Sequence, residues 1–358
     1  MLAGEAMNSP SAEVQLQFLS QLQRLLSEGH FVATYKFALL QALADLAVEV
    51  GDDSGAPLEL TVDAIAGKFI QYYWRQSAPY LGRAVLRQNT GSPPAILKDV
   101  SACRRRYDSL HRAQADPGNW RRLVGRVART VRAMPLDKLQ TVGNQRLEFL
   151  YPSAARSDAI ELHAGVAYCL RKFHGLITDL VRGAWTRYIR RFNQQELGNA
   201  HDLHDFLFGG PRAAIAGLAP ALLDVQSGRC FYCEESLRED RAHVDHFVPW
   251  SRYGNDLGHN FVLADASCNA AKSDHIAAPE HLARWIDRNA RRGPALEDAF
   301  ARLAVPHDLV GSLRVAAWVY GQVSASGGLS WVSGKRFASV DAGWDRDLRG
   351  FIAALQGA

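Results

Sequence analysis

Hydrophobic positions recur at helical spacing along most of this chain. In residues 11–28, Val14, Phe18, Leu22, Leu25 and Leu26 form one stripe, and Gly29 ends it. Segment 31–50 is apolar nearly all round, which predicts a buried central helix. After a turn at 51–55, segment 60–74 reads as a helix with Thr61 as its cap. Its Tyr72, Tyr73 and Trp74 form an aromatic cluster suited to core packing. Three helices with short turns suit either a helix-turn-helix-like reader or a plain scaffold. The polar break at 88–94 reads as a linker, and residues 1–10 as a disordered start.

Further along, 147–151 predicts a short strand and 165–192 one long amphipathic helix, with Arg187, Arg190 and Arg191 near its C-terminal end. Residues 203–208 stop at Gly209-Gly-Pro211, and 212–227 predict a helix leading to Cys230. The pattern then changes. A short strand closed by Pro249, a polar loop 251–259 with Gly254, Asn255 and Gly258, a strand at 260–263 and a helix opening at Ser267 follow in order. Helical patterns return at 275–289, 294–321 and 344–355, around a turn-rich strand at 327–334. The expected fold is mainly α with an embedded small strand–strand–helix module. The expected regions are 1–100, 101–225 (basic), 226–285 (the module) and 286–358.

At 358 residues the chain can bury a sizeable core. A net charge of +4 is too small to argue for nucleic acid by itself. The charge is uneven, however: arginines crowd 101–146, and Arg122, Arg126 and Arg129 recur at helical spacing beside Trp120. That face is the candidate for following a phosphate backbone, with a solvated, acid-paired face as the alternative. The five cysteines make no disulfide framework, so a reducing cytoplasm is expected. No apolar run is long enough for a membrane span, and no phosphate-binding G-x-x-x-x-G-K-[ST] loop occurs, so neither a membrane nor a nucleotide cofactor is expected.

The chemistry concentrates between Cys230 and Asp274. Cys230-Phe-Tyr-Cys233 is a spacing that places two thiolates on one tight turn, suited to structural zinc. Asp245 and Asn269 offer hard oxygens that can share one Mg²⁺ or Mn²⁺. His246 is placed to act as a general base, and Asn260 to fix its loop by hydrogen bonding. Lys272, one turn beyond Asn269, is expected to contact a phosphate. Cys268 supplies a third thiol. His243 and His259 read as structural and loop residues, and Trp250 and Tyr253 as loop packing.

This segment resembles the HNH (ββα-metal) endonuclease family. The likeness rests on Asp245-His246, thirteen residues, Asn260, eight residues, Asn269, then Lys272-Ser-Asp274. It implies His246 as base, Asp245 and Asn269 as metal ligands and Asn260 in support. The family's second C-x-x-C pair reads Asp265-Ala-Ser-Cys268 here, which puts Asp265 where a fourth zinc ligand is expected beside Cys230, Cys233 and Cys268. More loosely, the layout is similar to stand-alone bacterial HNH nucleases of restriction and anti-phage defence, such as the effector of type II Zorya systems. The resemblance implies metal-dependent hydrolysis of DNA, nicking one strand per site, with DNA and other defence proteins as partners. A non-catalytic zinc knuckle that binds nucleic acid or a partner, and an RNA-cleaving enzyme, stay open.

Overall fold

The computed structural model describes residues 9–29, 31–89, 91, 94–152, 158–197, 202–209, 217–254, 256–340 and 343–356. Residues 1–8 of the expected disordered start (1–10), part of the 88–94 break, Asn255 and the first residues of the 212–227 helix lie outside these. The chain divides into two compact units, 1–209 and 210–358, in place of the four regions drawn from sequence. Both are mainly helical, with small two-stranded sheets. No helix among the described residues is long and apolar enough to cross a membrane.

The first unit opens with α1 (Ala12–Glu28), where Ser11 Oγ accepts the Val14 N–H at 3.4 Å. α2 (Tyr35–Val50) is buried on almost every side, as its composition predicts. The expected helix 60–74 begins two residues later, because Leu58–Thr61 forms strand β1. α3 (Val62–Gln76) follows, with Thr61 Oγ1 accepting the Ala64 N–H at 3.2 Å. The basic stretch folds as α4 (Ala95–Arg106), α5 (Leu110–Gln114), α6 (Pro117–Ala133) and α7 (Pro135–Lys138). β2 (Thr141–Val142) and β3 (Gln145–Arg146) make a minimal hairpin.

The strand expected at 147–151 does not form. Leu150 and Tyr151 are instead held by Gln140, which accepts the Leu150 N–H at 2.7 Å and donates to the Tyr151 carbonyl at 2.8 Å. The strand lies at β4 (Ala159–Leu162), paired antiparallel with β1 from Leu58↔Leu162 to Thr61↔Ala159. The long helix expected at 165–192 breaks at Phe173 into α8 (Val166–Lys172) and α9 (His174–Phe192). α10 (Gln194–Leu197) and α11 (Leu203–Phe208) complete the unit, α11 ending at Gly209.

One core runs through the whole unit. Leu22, Leu43, Phe69, Tyr73, Val127, Trp185 and Leu207 all belong to it, so the first three helices are no separate reader. Each fully buried side chain of this size is worth about 1.5–3 kcal/mol. The 88–94 break is no free linker either: Gln88 is buried, its carbonyl accepts the Thr34 N–H at 3.2 Å and its Oε1 accepts the Thr34 hydroxyl at 2.9 Å. Asp45 is the buried carboxylate of this core, and it is met from several helices. Asp45 receives Tyr72 O–H at 2.6 Å and Gln41 Nε2 at 2.8 Å and sits 2.9 Å from His174 Nε2. Burial raises its pKa but His174 and neighbouring cations outweigh that, and the carboxyl is held down at about 2.

In the second unit, α12 (Ala219–Val225) precedes the cysteine turn. β5 (Ala242–His246) and β6 (Phe261–Asp265) pair antiparallel, and α13 (Ala266–Lys272) follows directly. α14 (Pro279–Arg302) runs straight through the expected boundary at 285 and absorbs Pro294. α15 (Leu309–Ala325), β7 (Leu329–Ser333), β8 (Arg336–Ser339) and α16 (Arg346–Gln356) complete it. Residues 286–358 are therefore not a separate region. Arg288 donates to the Phe261 carbonyl at 2.6 Å and the His259 carbonyl at 2.8 Å, and Trp285 Nε1 to the latter at 2.9 Å. Gly258 passes so close to Phe300 that a Cβ would lie 2.6 Å from its ring. Between α13 and α14, Ile276 and Ala278 exchange backbone hydrogen bonds with Trp331 of β7.

Arg171 shows how strongly buried pairing shapes the first unit. Its Nη1 donates to the Ala47, Val48 and Gly51 carbonyls at 3.1, 3.1 and 2.9 Å, and its Nε pairs with Asp53 at 2.7 Å. These carbonyls cluster at the C-terminal end of α2, where the Ala47 carbonyl also accepts the Gly51 N–H at 3.1 Å. Arg171→Met is expected to destabilise the unit by about 3 kcal/mol, read in thermal or urea melting. A change under about 0.5 kcal/mol would show that water replaces the guanidinium there.

Candidate active site

The β5–β6 register sets the centre of the site. Asp245 lies opposite Val262, and His246, the last residue of the ladder, opposite Phe261. α13 leaves β6 without a loop, so Asn269 and Lys272, three apart on one helical face, return toward β5.

Lys272 is fully buried, and its Nζ sits 3.0 Å from Asp245 Oδ2 and 2.9 Å from the His246 carbonyl. It also lies over the Tyr232 ring, 5.9 Å from its centroid. The amine expected to meet a phosphate is thus turned inward, because carboxylate, carbonyl and ring together satisfy it away from water. Tyr232 O–H donates to the same Asp245 oxygen at 2.6 Å. Burial, then the nearby Asp245 charge, pushes the Tyr232 pKa well above its ordinary value, so the phenol stays a donor. With Oδ2 so engaged, Asp245 Oδ1 makes no hydrogen bond to another described residue. The carboxylate is oriented from behind through Oδ2.

The His246 ring packs edge-on against Phe261, centroids 4.8 Å apart, and lies 5.6 Å from Trp250. Its Nε2 is 2.8 Å from Asp256 Oδ1. Buried Asn260 clasps the loop that follows: its Oδ1 accepts the Val248 N–H at 2.7 Å and its Nδ2 donates to the Val248 carbonyl at 3.0 Å. Asn269 is half-buried one turn before Lys272. His243 is exposed on β5, and Tyr253 is buried against Trp318. His259 is not a surface loop residue: it is fully buried, and burial drives its pKa down to about 3, so it carries no charge.

The cysteine turn stands beside this group. The Cys230, Cys233 and Cys268 sulfurs lie within 4.8 Å of one another. Zinc–sulfur bonds of about 2.3 Å require separations of this order, so the donor set fits a thiophilic divalent ion. Glu234, at φ +62°, closes the turn, and the Asp265 N–H donates to Cys230 Sγ at 3.2 Å. Burial, then the adjacent Cys230 and Cys233 sulfurs, pushes the Cys268 thiol up to about 12. Three crowded thiols resist ionising together, and a bound cation reverses that balance. Among the described residues, Asp265 is not grouped with the three sulfurs. Its carboxylate caps α13, accepting Ser267 N–H at 2.8 Å and Ser267 O–H at 2.6 Å, and pairs with Arg241 at 2.9 Å. Asp265 takes the cap that Ser267 was expected to supply, because the helix begins at Ala266 and Ser267 already lies inside its first turn.

On the first unit, Arg122 and Arg129 are exposed along α6, whereas Arg126 pairs with Asp99 at 2.9 Å. Two of the three arginines are thus presented to solvent. Sequence reasoning passed over Tyr232, whose place between the two cysteines was its only signal, and Asp256, which has no motif at all. It also passed over Arg284, which donates to the Phe231 and Tyr232 carbonyls at 2.8 and 3.1 Å from outside the motif.

Two families match the chain. Residues 15–207 match the family described as a domain of unknown function, DUF8808. Residues 230–278 match the HNH endonuclease family, which supports a nuclease assignment for that segment. No curated protein and no solved structure matches the chain.

Two outcomes are expected. Lys272→Met leaves the Asp245 charge unpaired and destabilises the second unit by about 3 kcal/mol in thermal melting. An exposed lysine would shift stability by less than about 0.5 kcal/mol. Purified protein carries about one zinc per chain by elemental analysis, and the double variant Cys230→Ser/Cys233→Ser loses it.

Proposed function

This chain belongs to the DUF8808 family, and we propose that, with the HNH segment C-terminal to its DUF8808 domain, it is a metal-dependent DNA endonuclease. The observation that carries the reading is the Asp245–His246 pair. The carboxylate has one oxygen tied back and one open, and the adjacent imidazole has one nitrogen anchored and one left to work. The strand–strand–helix order of β5, β6 and α13 supports a ββα-metal module around that pair.

Asp245 and Asn269 would hold Mg²⁺ or Mn²⁺ through oxygen. When bound, such an ion stabilises charge developing on phosphorus and on the leaving 3′ oxygen. His246 takes a proton from the attacking water through the ring nitrogen that Asp256 does not occupy. The phosphodiester P–O3′ bond breaks as the new P–O bond forms, and the 3′ alkoxide is protonated from solvent. Asn260 keeps the His246 loop in place through its two bonds to Val248. Lys272 acts from inside by holding Asp245, and zinc at Cys230, Cys233 and Cys268 would stiffen the turn that carries Tyr232. One site of this kind cuts one strand, so a single chain would nick. Arg122 and Arg129 would meet the phosphate backbone, which predicts binding that weakens with salt. The setting we propose is restriction or anti-phage defence, supported by the sequence layout, with other defence proteins as partners.

A supercoiled-plasmid assay with Mg²⁺, Mn²⁺ and EDTA tests the reading. Wild-type protein is expected to give open circles only with metal, and His246→Ala to reduce the rate by at least about 10²-fold while melting normally. Unchanged nicking by His246→Ala would remove the imidazole from the mechanism. Cleavage of RNA alone would move the substrate to RNA. Metal-independent binding without cleavage, lost on Cys233→Ala, would favour a non-catalytic zinc knuckle.

A further inference from the structure

We propose that Asp256 is a positioning residue for His246, holding the imidazole so that its Nδ1 faces the reacting water. The inference rests on the nuclease reading above and adds a residue that neither the motif nor the family match marks.

The carboxylate and the ring meet at 2.8 Å, through Asp256 Oδ1 and His246 Nε2. Both side chains are largely shielded, at 14% and 19% exposure, so water competes weakly for that bond. The loop carrying Asp256 is fixed on both sides. Upstream, the Phe247 N–H donates to the Asn260 carbonyl at 2.8 Å, Val248 is clasped by the Asn260 amide, and Tyr253 is buried on Trp318. Downstream, the Gly258 N–H donates to the Pro306 carbonyl at 2.7 Å. These contacts hold described residues on both sides of Asp256.

The ring has little freedom of its own. Phe261 lies against its edge and Trp250 beside it. Those contacts define the plane of the imidazole but do not distinguish its two nitrogens. A carboxylate on one side does: it selects the tautomer with the proton on Nε2 and leaves the Nδ1 lone pair as acceptor. Without Asp256 the ring can flip about its χ2 bond or carry its proton on Nδ1, and in either case the base is misplaced.

The test uses the full chain with Asp256→Ala and Asp256→Asn, alongside wild type. Three properties are read: the melting temperature, duplex affinity by anisotropy in EDTA, and the single-turnover nicking rate at saturating Mg²⁺. Asp256→Ala is expected to keep melting and affinity close to wild type while the rate falls about 10²-fold. Asp256→Asn, whose amide oxygen still accepts from Nε2, is expected to recover part of that loss, and added formate to rescue Asp256→Ala. A residue that merely anchors the loop would show no formate rescue and would move melting or affinity with the rate. Long-range ¹⁵N–¹H spectra give a readout besides cleavage, with the His246 signals assigned through His246→Gln. The wild-type proton is expected on Nε2, and a proton on Nδ1 overturns the proposal. A wild-type rate in Asp256→Ala overturns the proposal and leaves the nuclease reading intact. A wild-type protein that cuts nothing overturns both.

Discussion

A buried ammonium ion organises the second unit. Lys272 is wholly inside, and taking its charge out of water costs several kcal/mol. The cost is offset only where several partners converge: the Asp245 carboxylate, the His246 carbonyl and the Tyr232 ring. Those partners come from β5 and from the cysteine turn, while the lysine comes from α13. Neither strand, turn nor helix can shift alone without stranding a charge. The orientation of the Asp245 carboxylate is a by-product of this packing, fixed before any metal or substrate arrives.

The family match to 230–278 is smaller than the body that stabilises it. Arg284 and Arg288 of α14 donate to the backbone carbonyls of Phe231 and Tyr232 in the cysteine turn and of His259 and Phe261 at the start of β6. Burial holds the Arg288 pKa down at about 9, which reflects how far its guanidinium is removed from water. Phe247 stacks on Trp285 at 5.0 Å, bringing the strand end against the same helix. The module is thus a motif braced by arginines and an indole from sequence that no motif includes. The first unit uses the same device, with Arg171 on the end of α2 and Asp45 holding three helices together.

The site was legible to the extent that chemistry is local. Cys230, Cys233, Asp245, His246, Asn260 and Asn269 stood out because residue type and spacing within fifty residues of chain carry the signal. Lys272 was seen but given the wrong environment, since sequence spacing places a side chain on a helical face and says nothing about what covers that face. Asp265 was read as a ligand by its position in a pattern, whereas its bonds to Ser267 and Arg241 use both its capping geometry and its charge. Asp256 sat in a polar loop where nothing distinguished it from a turn residue.

For the fold, periodicity and caps were sufficient for α1, the buried α2 and the start of α3 at Thr61, because these depend on nearest turns of one chain segment. The sequence by itself determined a mainly helical protein, the place of the strand–strand–helix segment that carries His246, and the residue types able to bind metal and move a proton. Only the tertiary structure decided which polar groups are buried and with whom. β4 pairs with β1 across about a hundred residues, the helix breaks at Phe173 beside the Asp45–His174 contact, and Lys272 turns inward. Each of these is settled by desolvation against a distant partner, a free energy that does not exist until the partner is in place.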